Sequence, residues 1–208
     1  MADYIRDPAE IYRRSFAQVR AETDLARLPA GLHNMAVRLV HACGMPDIVA
    51  DLAFGGDAAA AGRAALAAGA PVLVDASMVA AGITRRRLPA GTQVICSLDR
   101  PEVASRARDI GNTRSAAAVD LWRPLLGGAV VAIGNAPTAL FRLLEILAEG
   151  ATRPAAILGF PVGFVGAAES KQALIDAAGD IPFITLCGRR GGSALAAAAV
   201  NALGSEPA

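Results

Sequence analysis

The chain has 208 residues, of which 54% are hydrophobic and 19% are charged, so it can bury a core of one domain. Its formal net charge is +1, which argues against a general nucleic-acid binder because such proteins carry a strong basic excess. Lys171 is the only lysine among 20 basic residues, and both codon bias and the recognition of carboxylates or phosphates explain such an arginine excess.

The cysteines and the N-terminal segment indicate the compartment. Cys43, Cys96 and Cys187 lie far apart, and any disulfide would leave one of them unpaired, which favours a reducing cytoplasm. Residues 1–14 lack the apolar stretch of a signal peptide, and no apolar run reaches the roughly 18 residues of a membrane span. We therefore expect a cytoplasmic protein that binds neither membrane nor nucleic acid.

The first predicted element is a helix that starts at Asp7 and Pro8, an N-cap and a first-turn proline. Ile11, Ser15 and Val19 share one of its faces at i, i+4 spacing. Ser15 is therefore expected among apolar neighbours, on the face that looks inward.

A second helix is predicted over residues 29–42, with Gly44 as its C-terminal signal. Asn34, Arg38 and His41 recur at i, i+4 and i+7 and form one polar stripe on this helix. The stripe predicts a polar surface next to an apolar helix face.

The remainder of the chain alternates short apolar runs with longer helical stretches. The runs, which predict strands, are residues 71–76, 92–98, 129–135, 155–160 and 181–187. The helices are predicted from residue 57 to about 70, and over 100–109, 112–126, 138–149, 166–178 and 192–203. Continuous apolar strands between helices indicate a parallel sheet covered on both faces. We predict an α/β fold, a three-layer αβα sandwich with a mostly parallel sheet and extra N-terminal helices, as a single domain over residues 1–208.

Glycine-rich turns follow several of the predicted strands. They occupy residues 134–138, 159–163 and 188–193, and the polar segment 75–77 follows another predicted strand. Ligands of open parallel sheets bind beyond the carboxyl ends of the strands, and glycines let backbone amides approach them. The alternative is that these glycines and prolines only make tight turns between strand and helix.

The sequence lacks the phosphate-binding motifs of nucleotide enzymes. Lys171 is not part of a P-loop, and the glycines of residues 159–166 have the wrong spacing for a dinucleotide-binding turn. The metal motif HExxH and the nucleophile motif GxSxG are absent as well. His41 and Cys43 lie two residues apart on a helix, where side chains point apart, so a thiol nucleophile is disfavoured.

Histidine is scarce, which narrows any imidazole chemistry to His33 and His41. His33 lies near a helix start and is expected at the surface. His41 shares a face with Arg38, which would lower its pKa, and a histidine in the neutral range can donate or accept a proton. The alternative is a hydrogen-bonded structural histidine.

Four segments of the chain, together with its opening residues, resemble a known family. They are RLVHACG (residues 38–44), IGNTRSA (110–116), AIGNAPTAL (132–140) and GFPVGFVGAAESK (159–171), preceded by YIRDPxxIYxxSF from residue 4. These segments are similar to those of precorrin-8X methylmutase, the precorrin isomerase of cobalamin biosynthesis. The similarity runs in order from about residue 4 to about residue 203.

The resemblance implies an isomerase that moves a methyl group from C-11 to C-12 of precorrin-8X and so gives hydrogenobyrinic acid. It implies no redox cofactor and no metal, whereas anaerobic relatives act on a cobalt-containing substrate. The family's proton donor/acceptor corresponds to His41, and the family is homodimeric, with the site near the subunit interface. We expect neighbouring enzymes of the corrin pathway as further partners.

Residues that contact the substrate are expected in several parts of the chain. They are Ser15, Arg38, Thr84, Arg85, Arg114 and Gly163. Arg38, Arg114 and the run Arg85–Arg87 after Thr84 suit the carboxylates of the substrate, because a guanidinium can bind a carboxylate through two hydrogen bonds. The resemblance is less close at Arg190, whose role stays open.

Two other functions remain open at this point. A non-catalytic corrinoid carrier would bind the same ligand and hand it on without turnover. A nucleotide-dependent α/β enzyme is the more distant alternative, and the missing phosphate motifs argue against it.

Overall fold

The computed structural model describes residues 4–204, in which strands and helices alternate from the first strand onward. The helices are α1 (Pro8–Glu22), α2 (His33–Cys43), α3 (Ala58–Ala67), α4 (Ser77–Gly82), α5 (Val103–Asp109), α6 (Arg114–Asp120), α7 (Pro137–Ala148), α8 (Ala167–Ala177) and α9 (Ser193–Leu203). The strands are β1 (Leu52–Gly55), β2 (Val72–Val74), β3 (Val94–Cys96), β4 (Val130–Ile133), β5 (Ala156–Gly159) and β6 (Phe183–Leu186). No helix in this part of the chain is both long and apolar enough to cross a membrane.

The six strands form one sheet in the order β1-β6-β5-β4-β2-β3. Every neighbouring pair is parallel except β1 with β6, in which Leu52 lies opposite Leu186. The five predicted strands are therefore confirmed. β1 is missing from the prediction because its four residues, LAFG, include no β-branched side chain and are only partly buried at the sheet edge.

Side chains that alternate along the strands build two cores, one on each face of the sheet. On β2, Val72 and Val74 pack with α2, α3, α4 and α9, whereas Leu73 packs with α6, α7 and α8. The same alternation on β4 and β5 continues both cores across the sheet. The predicted three-layer αβα architecture is confirmed, and α1 lies outside the sandwich, against α2.

The ends of the first two helices follow the predicted signals. The Asp7 carboxylate accepts a hydrogen bond from the Ala9 backbone N–H at 3.0 Å. α2 ends at Gly44, whose φ of +69° is a left-handed conformation that glycine adopts without steric cost. On α1 the inward face is shifted from the expected one, because Phe16 is buried while Ile11 is 47% exposed.

Two helical segments differ from the sequence prediction. The single helix expected over residues 112–126 is divided into α6 and the 3-10 turn Arg123–Leu125, because Pro124 lacks the backbone N–H that a continuing helix needs. α4 is missing from the prediction because it has only six residues.

Asp75 links the carboxyl ends of β2 and β4. Its side chain is 1% exposed and accepts hydrogen bonds of 2.7–2.9 Å from the backbone N–H groups of Gly134, Asn135 and Ala136. Burial raises the pKa of this carboxyl group, and the three hydrogen bonds oppose the rise. The turn after β4 is therefore fixed by the protein's own carboxylate.

The loops after β5 and β6 pack directly against each other. The Gly192 N–H donates to the Phe160 carbonyl at 2.8 Å. A Cβ atom at Gly191 would lie 2.4 Å from the Pro161 carbonyl oxygen, so only glycine permits this approach. These glycines have a structural explanation in the contact between the two loops.

Lys171 and Arg190 hold the loop that leads into α9. The Lys171 ammonium is fully buried and donates to the carbonyls of Gly188 and Arg190. Burial lowers the pKa of Lys171 to about 8. The Arg190 guanidinium pairs with Asp47 and Asp51 of the 3-10 helix Pro46–Asp51, each at 2.5 Å. The sequence leaves the role of Arg190 open. In the structure its ion pairs connect this loop to the segment before β1.

We predict that Lys171→Met destabilises the protein, because it leaves the carbonyls of Gly188 and Arg190 without their donor beside a buried side chain. Each unpaired buried group costs about 1–3 kcal/mol, so the free energy of unfolding should fall by at least ~2 kcal/mol. Urea unfolding followed by circular dichroism measures the change. The exposed neighbour Gln172→Met serves as the control, and equal unfolding midpoints for the two variants would contradict the buried role of Lys171.

Candidate functional site

A hydrogen bond between Ser15 and His41 joins α1 to α2. The Ser15 Oγ atom lies 2.9 Å from His41 Nδ1. Either atom can donate, according to the imidazole tautomer, and in both cases Nε2 is the ring nitrogen left for a ligand. His41 is the expected proton donor/acceptor and Ser15 is an expected substrate contact. The fold brings them together although they lie 26 positions apart in the chain.

Two aromatic side chains of α1 surround the imidazole. The Phe16 ring centroid lies 4.8 Å from that of His41, and the Tyr12 centroid lies 5.8 Å from it in an edge-on arrangement. Tyr12 and Phe16 stack on each other at 4.4 Å. The imidazole is therefore held by aromatic packing as well as by Ser15.

Two arginines converge on the same aromatic pair. Arg38 and Arg87 donate hydrogen bonds to the Tyr12 phenol oxygen at 2.9 and 3.1 Å. The Arg38 guanidinium also lies 5.3 Å from the Phe16 ring centroid, a cation–π distance. Partial burial lowers the pKa of His41, and the charges of Arg38 and Arg87 lower it further. A lowered pKa keeps the resting imidazole neutral at pH 7.

His41 and Arg38 line a cleft of about 250 Å³ between α2, α4 and α9. The other lining residues are Ala42, Gly82, Ala194, Ala197, Ala198 and Asn201. Alanines at i, i+3 and i+4 on α9 give this wall a flat, apolar surface because their side chains are short. The cleft therefore combines a flat apolar wall with an imidazole and a guanidinium.

Larger depressions occur elsewhere on the described part of the chain, but their linings differ in chemistry. One of about 440 Å³ is lined by three acidic residues and one arginine, so its net negative charge opposes an anionic ligand; the charged residues are Glu22, Asp24, Asp47 and Arg27. Another of about 520 Å³ is lined only by alanines and glycines near the start of β4 and β5. Only the cleft at His41, among these three, places an imidazole beside a guanidinium and a wall of alanines.

Thr84 and Arg85, two other expected contacts, lie in the segment after α4. The Thr84 N–H donates to the Asn201 side-chain oxygen at 2.7 Å, and the Asn201 amide donates to the Gly82 carbonyl at 3.0 Å. Thr84 is therefore anchored beside the cleft, while the Arg85 side chain is exposed. Arg87, two positions further, is the arginine of this run that reaches Tyr12.

Arg114 and Gly163 lie at the carboxyl edge of the sheet, away from this cluster. Arg114 starts α6, in the helical layer opposite α2, and donates to the Leu98 carbonyl at 3.3 Å. Gly163 has a φ of +149° and donates its N–H to the Arg189 carbonyl at 3.2 Å. Among the described residues, no hydrogen bond or ion pair links either of them to His41, so their substrate contacts remain predictions.

Tyr12 and Asn201 belong to the cluster but were not among the expected site residues, whereas Arg87 was expected only as part of the run Arg85–Arg87. A signal existed for Tyr12, which lies three residues before Ser15 and therefore on the same helix face. Asn201 is the polar position at i+7 from Ala194 in an otherwise apolar helix. For Arg87 the sequence offers no distinction from its two arginine neighbours.

The fold and the cleft define an α/β protein with a histidine-centred site in one helical layer, and comparisons with known proteins agree. The family model for precorrin-8X methylmutase (CbiC) matches residues 10–206. The precorrin-8X methylmutase of Pseudomonas aeruginosa is 62% identical over 206 residues, 99% of each chain. That of a Sinorhizobium species is 59% identical, covering 97% of this chain and 96% of the relative.

A solved structure supports the same relationship. The precorrin-8X methylmutase of Thermus thermophilus superimposes with a TM-score of 0.85 at 40% identity, covering 94% of each chain. The cobalt-precorrin-8 methylmutase of Priestia megaterium is 33% identical over 94% of this chain and 87% of its own. The chain belongs to the precorrin-8X methylmutase family, a family of isomerases of cobalamin biosynthesis.

We predict that His41 titrates below the ordinary histidine pKa of 6.5. Arg38→Gln should raise the midpoint, because it removes one of the charges that disfavour the imidazolium. NMR titration of the two histidines measures both values, with His33, whose Nε2 lies 2.9 Å from the Leu28 carbonyl oxygen, as the internal reference. A His41 midpoint at or above 6.5, or one that falls in the Arg38→Gln variant, would refute this account of the site.

Proposed function

We propose that this protein moves a methyl group from C-11 to C-12 of precorrin-8X to give hydrogenobyrinic acid. The observation that carries the proposal is His41, whose Nδ1 contacts Ser15 while its ring lines a cleft with Arg38. The family relationship supplies the reaction class, and the contacts of His41 supply a proton donor/acceptor for it.

The methyl shift requires charge to be redistributed in the conjugated ring, and it requires no nucleophile. A hydrogen bond from His41 Nε2, or a proton that returns to Nε2 once the methyl group has moved, would make the ring beside the migration site electron-poor and draw the methyl group across. Ser15 holds Nδ1, so the imidazole keeps its orientation as its charge changes. Its lowered pKa makes the imidazolium a stronger acid once formed.

Substrate carboxylates are proposed to be held by arginines, and the macrocycle by the alanine wall. Arg38 reaches the cleft from α2, one turn before His41, and Arg85 and Thr84 flank it after α4. Arg114 and Gly163 would contact the more distant substituents at the carboxyl edge of the sheet. Fixing the ring in one pose contributes to the rate because the reacting carbon must meet the imidazole.

We assign the metal-free substrate of the aerobic route rather than a cobalt-containing one. Identity reaches 62% and 59% with relatives named for precorrin-8X. It is 33% with the cobalt-precorrin-8 methylmutase of Priestia megaterium and 37% with that of Salmonella typhimurium. The greater similarity to the first pair supports the assignment.

We propose that the protein is a cytoplasmic homodimer and that residues 1–208 of each chain form a single domain. All six strands, from β1 to β6, belong to one sheet, which supports one domain. All three cysteines are free, which suits a reducing compartment. A cleft of about 250 Å³ is smaller than most ligand sites, which supports a site that a second copy completes. We also propose that the product is handed over to neighbouring enzymes of the corrin pathway.

The loop before α8 offers an apolar surface for the second copy. Phe164 and Val165 are 87% and 89% exposed, and Val162 is 42% exposed. We predict that the double variant Phe164→Asp/Val165→Asp is monomeric in sedimentation velocity, while Ile110→Asp, at another exposed apolar position, stays dimeric. A double variant that remains dimeric but no longer binds hydrogenobyrinic acid would assign the loop to the ligand instead of the interface.

The carrier alternative is separated from the enzyme by turnover. We predict that His41→Asn slows conversion of precorrin-8X, followed by visible absorption, by about 10²–10⁴-fold, the usual contribution of one acid–base group. The variant should still bind hydrogenobyrinic acid, and His33→Asn should keep the wild-type rate. Wild-type protein that binds this product tightly without converting precorrin-8X would make the protein a carrier, and an unchanged rate in His41→Asn would remove the histidine mechanism.

A further inference from the structure

The phenol oxygen of Tyr12 receives hydrogen bonds from two separate elements. Arg38 belongs to α2, Arg87 to the 3-10 turn Arg85–Arg87, and Tyr12 to α1. Both lone pairs of the oxygen are occupied by guanidinium N–H groups at 2.9 and 3.1 Å. A single atom therefore fixes two cations from different parts of the chain against the helix that carries Ser15.

Arg38 differs from two other partly buried arginines in how its charge is balanced. Arg142 is paired with Asp120 and two glutamates, and Arg190 with two aspartates. Arg38, in contrast, forms no ion pair within residues 4–204, and its Nε atom is buried without a hydrogen-bond partner. This guanidinium, with which no anion of the described residues pairs, lines the cleft beside His41.

A phenol suits this position better than a carboxylate would. An aspartate or glutamate would hold the two guanidiniums by neutralising them and would then repel an incoming anion. A phenol oxygen accepts both hydrogen bonds and carries no negative charge, so it does not neutralise Arg38. Partial burial alone would raise the pKa of Tyr12, but the hydrogen bonds from Arg87 and Arg38 outweigh it and lower that pKa.

We infer that Tyr12 is a positioning residue that holds Arg38 and Arg87 side by side beside His41, so that Arg38 binds one carboxylate of the substrate. The identity of the ligand rests on the proposed function, whereas the positioning of the arginines does not. Tyr12 acts through the arginines and is not itself a catalytic residue.

The positioning has a consequence for His41 in the ligand-free protein. The charged groups that face the imidazole are Arg38 from α2 and Arg87 from the turn after α4; α1 contributes Tyr12, Phe16 and Ser15. The nearby Glu10 is engaged by Arg13 and Arg14. Releasing the two guanidiniums should therefore raise the pKa of His41.

The test compares Tyr12→Phe with Tyr4→Phe, which changes the exposed second tyrosine in the same way. Tyr12→Phe keeps the aromatic ring against His41 and removes only the oxygen. We expect NMR titration to show the His41 midpoint raised by a few tenths of a pKa unit in Tyr12→Phe and unchanged in Tyr4→Phe. In an Arg38→Gln/Arg87→Gln background, Tyr12→Phe should cause no further rise. A His41 midpoint that is unchanged in Tyr12→Phe but raised in Arg38→Gln would overturn the positioning role.

Ligand binding tests the carboxylate half of the inference. Titration with hydrogenobyrinic acid should show affinity lower by about tenfold in Tyr12→Phe and in Arg38→Gln, the loss of one charge-assisted hydrogen bond. Wild-type affinity in Tyr12→Phe would overturn this half even if the His41 midpoint has moved. If the wild-type protein itself fails to bind hydrogenobyrinic acid, the proposed function and the carboxylate half fail together, and the NMR midpoints still decide the role of Tyr12.

Discussion

The contact between Ser15 and His41 is the interaction on which the site depends. α1 lies outside the αβα sandwich and buries only Phe16, so little apolar area holds it in place. Its position is fixed by side chains that reach α2 and the turn after α4. The same contacts orient the imidazole, exclude water from part of it and bring two arginines near it. The site is therefore assembled by docking a peripheral helix onto a rigid layer.

That rigid layer depends in turn on polar groups buried at the ends of the strands. Asp75 fixes the turn after β4, and Lys171 fixes the loop that leads into α9. α9 forms the alanine wall of the cleft that His41 lines. The position of this wall relative to the imidazole on α2 therefore depends on the buried lysine on α8. The glycine-rich strand ends, which the sequence suggests as ligand loops, satisfy one another through backbone hydrogen bonds.

Most of the sheet could be predicted from the sequence because buried parallel strands are continuous apolar runs between helices. β1 could not, because an edge strand of four residues carries no such run. For the site, helix periodicity brings Arg38 and His41 onto one face and places Ser15 beside Tyr12. The contact between Tyr12 and Arg87 spans 75 positions and depends on how α1 docks, which no local pattern encodes. The arginine excess is ambiguous for a similar reason. The sequence does not distinguish Arg190, which forms two ion pairs, from Arg38, which forms none within residues 4–204.

The central claim is that Nδ1 of His41 stays with Ser15 while Nε2 meets the corrinoid. The most direct measurement is the ¹⁵N NMR spectrum of histidine-labelled protein during titration with hydrogenobyrinic acid. The account predicts that the Nε2 signal of His41 shifts on saturation, that its Nδ1 signal changes little, and that His33 is unaffected. His41 signals that stay unchanged in the saturated complex would place the ligand elsewhere and contradict the account.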